Sequence, residues 1–181
     1  MSQTIILAAR EDGDLLEEAK FENAFLGTMT LWRQMGKRYS GISDQSFLLK
    51  VASGSSESVS AIWDLANDEK VPIEDRITLT TTFDGLLVPR DHISVVADAM
   101  KKTAEWLEAP HHIGKQAEFL EKCLDDPTIV AIAWNQTSAN WDAWRVPDGE
   151  GGARPYNIYK DHDHELMFEE EEESEDSTNG E

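Results

Sequence analysis

Residues 76–90 read R-I-T-L-T-T-T-F-D-G-L-L-V-P-R. Ile77, Leu79 and Phe83 alternate with Thr78, Thr80 and Thr82, the two-residue period of a strand with one buried face. Asp84-Gly85 supplies the positive φ angles of a type I′ turn, and Leu86-Leu87-Val88 returns. In that register Phe83 faces Leu86 and Thr81 faces Val88, so apolar groups share one side. Pro89 cannot donate to a ladder, which places the return strand at an edge or ends it there. The stretch predicts a central β-hairpin, the nucleus of a sheet, and carries no chemistry of its own.

On either side the chain divides into short apolar segments. Residues 4–9, T-I-I-L-A-A, read as a buried strand. Asp14 with Glu17 resembles a helix cap, and the spacing of Phe21, Phe25, Met29 and Trp32 predicts a long helix over 15–38. Acids crowd its start and bases its end, as the helix dipole favours, and Gly36 or Gly41 ends it. Residues 43–51 and 59–66 predict two further helices, the second stopped by Pro72. Beyond the hairpin, Ile93, Val96, Met100, Ala104 and Leu107 predict a helix from Asp91. Residues 113–124 predict another, and 128–134, T-I-V-A-I-A-W, a strand. The class expected is therefore α+β, with a small, mostly antiparallel sheet of about four strands packed against about five helices. From Asp148 the chain loosens into G-E-G-G-A-R-P, and residues 156–159 offer one short pairing segment. A single domain over 1–160 is expected, followed by an acidic tail, 161–181, that cannot bury enough surface to order itself.

Charge is the outlying property. Of 181 residues, 16 are basic and 36 acidic, for a net charge of −20. Eleven of the acids fall within 161–181 and no Lys or Arg does, so residues 1–160 carry −9 by themselves. Such a surface repels nucleic acid and anionic lipid and attracts basic proteins. The apolar runs are too short for a membrane span, and the N-terminus lacks the basic region of a signal peptide. One cysteine, Cys123, excludes an internal disulfide and a multi-cysteine zinc site, and suits a reducing, cytoplasmic setting.

Candidate sites are few. Residues 134–145, W-N-Q-T-S-A-N-W-D-A-W-R, set Trp134, Trp141 and Trp144 among Asn135, Gln136, Asn140 and Asp142. Stiff indoles with directed polar groups suit a recognition surface; equally, the tryptophans close one end of the core while the polar groups cap a turn. The acids of Arg10-Glu11-Asp12-Gly13-Asp14 follow the first strand, where α/β folds hold Mg²⁺, yet no phosphate-binding loop accompanies them. His162 and His164 in D-H-D-H-E read as solvated charge or adventitious metal binding, His111-His112 as an exposed turn, and Cys123 as a core thiol. No G-x-S-x-G, H-E-x-x-H or P-loop motif occurs, so no catalytic residue, metal or cofactor is expected.

The reading that fits best is an acidic protein-binding module, an inhibitor, immunity protein or DNA mimic acting on a basic partner. Glu11, Asp12, Asp14, Glu17 and Glu18 are its contact acids, with Trp141 and Trp144 as anchors. Two other readings are a small enzyme or polar-ligand binder using residues 134–145, and a regulatory or chaperone subunit recruiting basic proteins through its tail.

Overall fold

The computed structural model describes residues 3–10, 15–22, 24–41, 64–82, 86–136, 145–147, 149 and 153–155. It opens on a hairpin of β1 (Gln3–Arg10) and β2 (Leu15–Glu22). α1 (Ala24–Ser40) follows, then a single helical turn, α2, at 64–67, and α3 (Ile73–Thr80). Next come β3 (Leu87–Pro89), α4 (Arg90–Trp106), α5 (His111–Cys123) and β4 (Ile129–Gln136). β5 (Arg145–Pro147) and β6 (Ala153–Pro155) close the described chain.

The main sheet has the order β2-β1-β4-β3, and every pair in it is antiparallel. Ile6 opposes Trp134, and Ala8 and Val88 both oppose Ile132. These side chains lie on one buried face together with Thr4. The helices cover that face: α4 packs on β3 and β4, and is flanked by α3 and α5. Leu31, Met35, Leu79, Ile93, Met100 and Leu120 fill the space between. Among the described residues, the α+β class, the four-stranded antiparallel sheet and five helices agree with expectation. So do β1, β4, α4 and α5, and β3 at a sheet edge.

Two elements differ from expectation, each for a local reason. Residues 77–80 belong to helix α3, not to a strand, and the sheet's hairpin is β1–β2. Thr78, Thr80, Thr81 and Thr82 turn their hydroxyls back on the carbonyls of Glu74, Ile77, Thr78 and Leu79 at 2.6–2.8 Å. A run of β-formers thus satisfies its own hydroxyls within a helix. Asp75 through Thr80 are all buried, so the alternation of Ile and Thr does not mark an inside and an outside. Asp84-Gly85 lies outside the described residues, and β3 pairs with β4 instead of with the threonine run.

The long helix over 15–38 is also shorter than its spacing suggested, because 15–22 forms β2. Ile6 opposes Ala19 but Leu7 opposes Glu17, which leaves Glu18 as the extra residue of a bulge. That insertion breaks the two-residue period and hides the strand. Met29, Trp32 and Met35 remain as the buried stripe of α1, and Gly41, at φ 63°, stands just beyond its end. β5 and β6 pair as a separate two-stranded sheet, Val146 opposite Arg154, so part of the stretch read as linker is paired backbone. The expected helix over 43–51 and the start of the one over 59–66 lie outside the described residues, as does the tail beyond Pro155.

Candidate binding surface and polar clusters

Arg10 ends β1 and gathers acids from two distant parts of the chain. Its Nη2 donates to Glu18 at 2.7 Å and its Nη1 to Asp126 at 2.9 Å, with a further bond to the Thr128 hydroxyl. Asp126 lies in the turn between α5 and β4, where it also accepts from the Thr128 N–H at 2.9 Å and hydroxyl at 2.7 Å. The Arg10 hydrogen bond, then those of Thr128, hold the Asp126 carboxyl down to about 2, so it is ionised at any physiological pH. Asp125 beside it is exposed. Arg90 stiffens the same corner by donating to the carbonyls of Leu124, Asp126 and Ile129 at 2.7–2.8 Å. One end of the sheet is therefore a pole carrying Glu18, Asp125 and Asp126, with both nearby guanidinium groups engaged.

Glu11, Asp12 and Asp14 fall between β1 and β2 in sequence and lie outside the described residues. Glu17 is within β2, backbone opposite Leu7. Glu18 is the bulged residue bound to Arg10. Asn135 and Gln136 sit at the other end of the strands, opposite Ile5 and Thr4; Asn135 is exposed. Ile5 and Arg10 are five residues apart along β1, or roughly 17 Å. Glu18 and the start of the Trp/Asn stretch thus occupy opposite ends of the sheet. Asn140, Trp141, Asp142 and Trp144 lie outside the described residues. Trp134 is 1% exposed and belongs to the core, as one of the two sequence readings held.

Two polar clusters escape sequence inspection. Asp75, buried in α3, accepts from Trp106 Nε1 at 3.0 Å, Thr103 Oγ1 at 2.7 Å and the Tyr39 hydroxyl. Burial and that bond to Asp75 push the Tyr39 hydroxyl up to about 12. Arg38 lies 4.4 Å from the centroid of the Trp106 ring, a cation–π contact on the exposed side. Three donors saturate the Asp75 carboxylate, so it joins α1, α3 and α4 without offering a free base. The second cluster links Trp134, Gln116 and His112 beneath β2. His112 is half-buried against Phe21 and Gly27, which corrects the expectation of an exposed turn: His111-His112 open α5. Their long-range bonds join residues 18 to 36 positions apart, a proximity that no local motif encodes.

Cys123 is buried and free. Burial, aided by Glu18 and Asp126, pushes its thiol up to about 11, which suits a core thiol and not a nucleophile. No three His, Cys, Asp or Glu side chains among the described residues group as a metal-ion site, and D-H-D-H-E lies outside them. No helix among them is long and apolar enough to cross a membrane. Comparison with family models, curated proteins and solved structures finds no match to the chain.

Proposed function

We propose that the protein is an acidic protein-binding module, an inhibitor, immunity or DNA-mimic antagonist of a basic nuclease or other nucleic-acid-binding protein. The observation that carries the reading is the pole at the end of the sheet. There Glu18 and Asp126 meet at Arg10 from β2 and the α5–β4 turn, with the exposed Asp125 next to Asp126 in the chain; Glu11, Asp12 and Asp14 precede β2 in sequence. Carboxylates supported by β-structure keep their spacing before a partner arrives, which reduces the ordering loss on binding. Net charge alone would attract basic proteins without selecting among them.

The test separates attraction by the tail from recognition by the body. The full chain is immobilised, a basic protein is captured from native extract, and its binding is followed across salt. Reversing Asp14 and Asp125 to Lys should weaken binding at ~0.15 M salt more than changing Glu169–Glu173 to Gln. At that salt the screening length is about 8 Å and diffuse attraction has faded. The tail variant should mainly slow association at low salt. Retention of the partner by an isolated 161–181 peptide as well as by the whole chain would refute the reading.

A further inference from the structure

Trp134, Gln116 and His112 form a chain in which the proton positions follow from the donors. The Trp134 indole N–H can only donate, so its partner on Gln116 at 3.0 Å is the amide oxygen. Gln116 Nε2 is then the amide nitrogen, a donor, and it meets His112 Nδ1 at 3.0 Å. Nδ1 must accept, which makes the imidazole neutral with its proton on Nε2. Turning the Gln116 amide over would set its NH₂ against the indole N–H. Trp134 and Gln116 are both buried, at 1% and 2% exposure, and water has little access to relieve a mismatch.

The described residues around it act in the same direction. His112 lies in the first turn of α5, where the helix dipole opposes positive charge. Its ring meets Phe21 of β2 edge-on, centroids 6.1 Å apart, and lies against Gly27 of α1. On β2 the charged neighbours of Phe21 are Lys20 and Glu22, which alternate to the opposite face and are exposed. The first turn of α1 has no acidic residue, and its bases Arg33, Lys37 and Arg38 follow Gly27 by six residues or more. β4 carries no charged residue. On α5, His111 precedes the ring, and Lys115 and Glu118 are exposed.

We propose that His112 is an acid-sensitive latch: a proton on Nδ1 sets two donors face to face and frees the N-terminal turn of α5 from β2, α1 and Trp134. The proposal does not depend on the partner-binding reading. A histidine in the unfolded chain takes up its proton near pH ~6.5, and the folded chain resists it. Stability is therefore full above about pH 6.5 and falls below it, until the native state also accepts the proton. The limit is about tenfold in the folding constant per pH unit.

Urea unfolding of the full chain, followed by tryptophan fluorescence at pH 7.5, 6.5 and 5.5, tests this. His112→Asn keeps an acceptor toward Gln116 but cannot titrate. Between pH 6.5 and 5.5 the wild-type folding constant should fall by up to about tenfold more than that of this variant. Gln116→Glu gives both Trp134 and a protonated His112 an acceptor, so the slope in the same window should reverse. Nitrogen NMR of His112 in the wild-type chain should show the Nε2–H tautomer at pH 7.5 and titration below 6.5, and it decides the matter even if a variant fails to fold. The Nδ1–H tautomer, titration at or above 6.5, or equal pH slopes in wild type and His112→Asn would overturn the latch.

Discussion

Two helical glycines allow a direct test of how α1 and α5 meet. Gly→Ala inside a helix ordinarily stabilises by up to about 1 kcal/mol, because alanine loses less backbone entropy. At Gly114, in α5, a Cβ meets nothing within 4 Å, so the ordinary gain is expected. At Gly27, in α1, a Cβ lies 2.6 Å from His112 Cγ, 2.7 Å from Nδ1 and 3.0 Å from Cδ2. Cγ is one bond from the His112 Cβ, so the ring cannot swing aside as the tip of a long side chain would. Displacing it also pulls Nδ1 from Gln116, a hydrogen bond worth about 1 kcal/mol. Overpacking of this kind costs about 1–3 kcal/mol. Gly27→Ala should therefore be net destabilising by about 1–3 kcal/mol, and Gly114→Ala stabilising by about 0.5–1 kcal/mol. In a domain of this size 1 kcal/mol moves the melting midpoint by about 2–4 °C, so calorimetry resolves the difference in sign. A Gly27→Ala midpoint raised like that of Gly114→Ala would mean that His112 is not against α1, and the packing of α5 would have to be redrawn.

Other consequences follow from single side chains. Asp75→Ala strands the donors of Tyr39, Thr103 and Trp106 in a buried site and should destabilise by about 2–4 kcal/mol in urea unfolding, whereas an exposed carboxylate such as Asp98→Ala should stay within about 0.5 kcal/mol. Ultraviolet titration should show one tyrosine, Tyr39, ionising only near pH 12, and its replacement by Phe should remove that late step. Asp126 is held down to about 2 by Arg10 and Thr128; the unfolded carboxyl titrates near 3.8, so the stability it contributes is present above about pH 4 and lost as pH falls toward 2. Asp126→Asn should flatten that part of the acid-unfolding profile, and an unchanged profile would show that the Arg10 bridge is not maintained in solution.

What could be read from the sequence was whatever had one exposed and one buried side. In α4, Ile93, Val96 and Met100 are buried while Val95 and its polar neighbours face out, and helical spacing is visible. β1 and β4 are short apolar runs bounded by charge or turns, and Pro89 marks an edge correctly. α3 fails that test because Asp75 through Thr80 are all buried, so its Ile/Thr alternation had no meaning as a period. β2 fails because one bulged residue, Glu18, shifts the alternation, and Phe21 happens to continue the helical spacing of Met29 and Trp32. The Asp75 and His112 clusters were illegible for a different reason. The first draws its hydrogen bonds from three elements and the second from two, and the pairing of those elements is set by the whole core, not by spacing along one of them.

The disposition of the bases also bears on how an acidic chain can be selective. Arg10 binds Glu18 and Asp126, Arg90 binds three carbonyls, and Arg76, though buried, donates to the carbonyl of Ala66 at 2.9 Å. Lys101 pairs with Glu121, and Arg38 lies over Trp106. These cations still count in the far field, which a partner feels at a distance through the net charge. At contact range, direction matters more than sum: the guanidinium groups of Arg10 and Arg90 already point at internal acceptors. On the proposed reading a basic group reaching this end meets the exposed Asp125, because Glu18 and Asp126 already bind Arg10. On that reading, long-range attraction and short-range complementarity would have the same sign at this end, and that coincidence would separate a binding surface from a merely negative one.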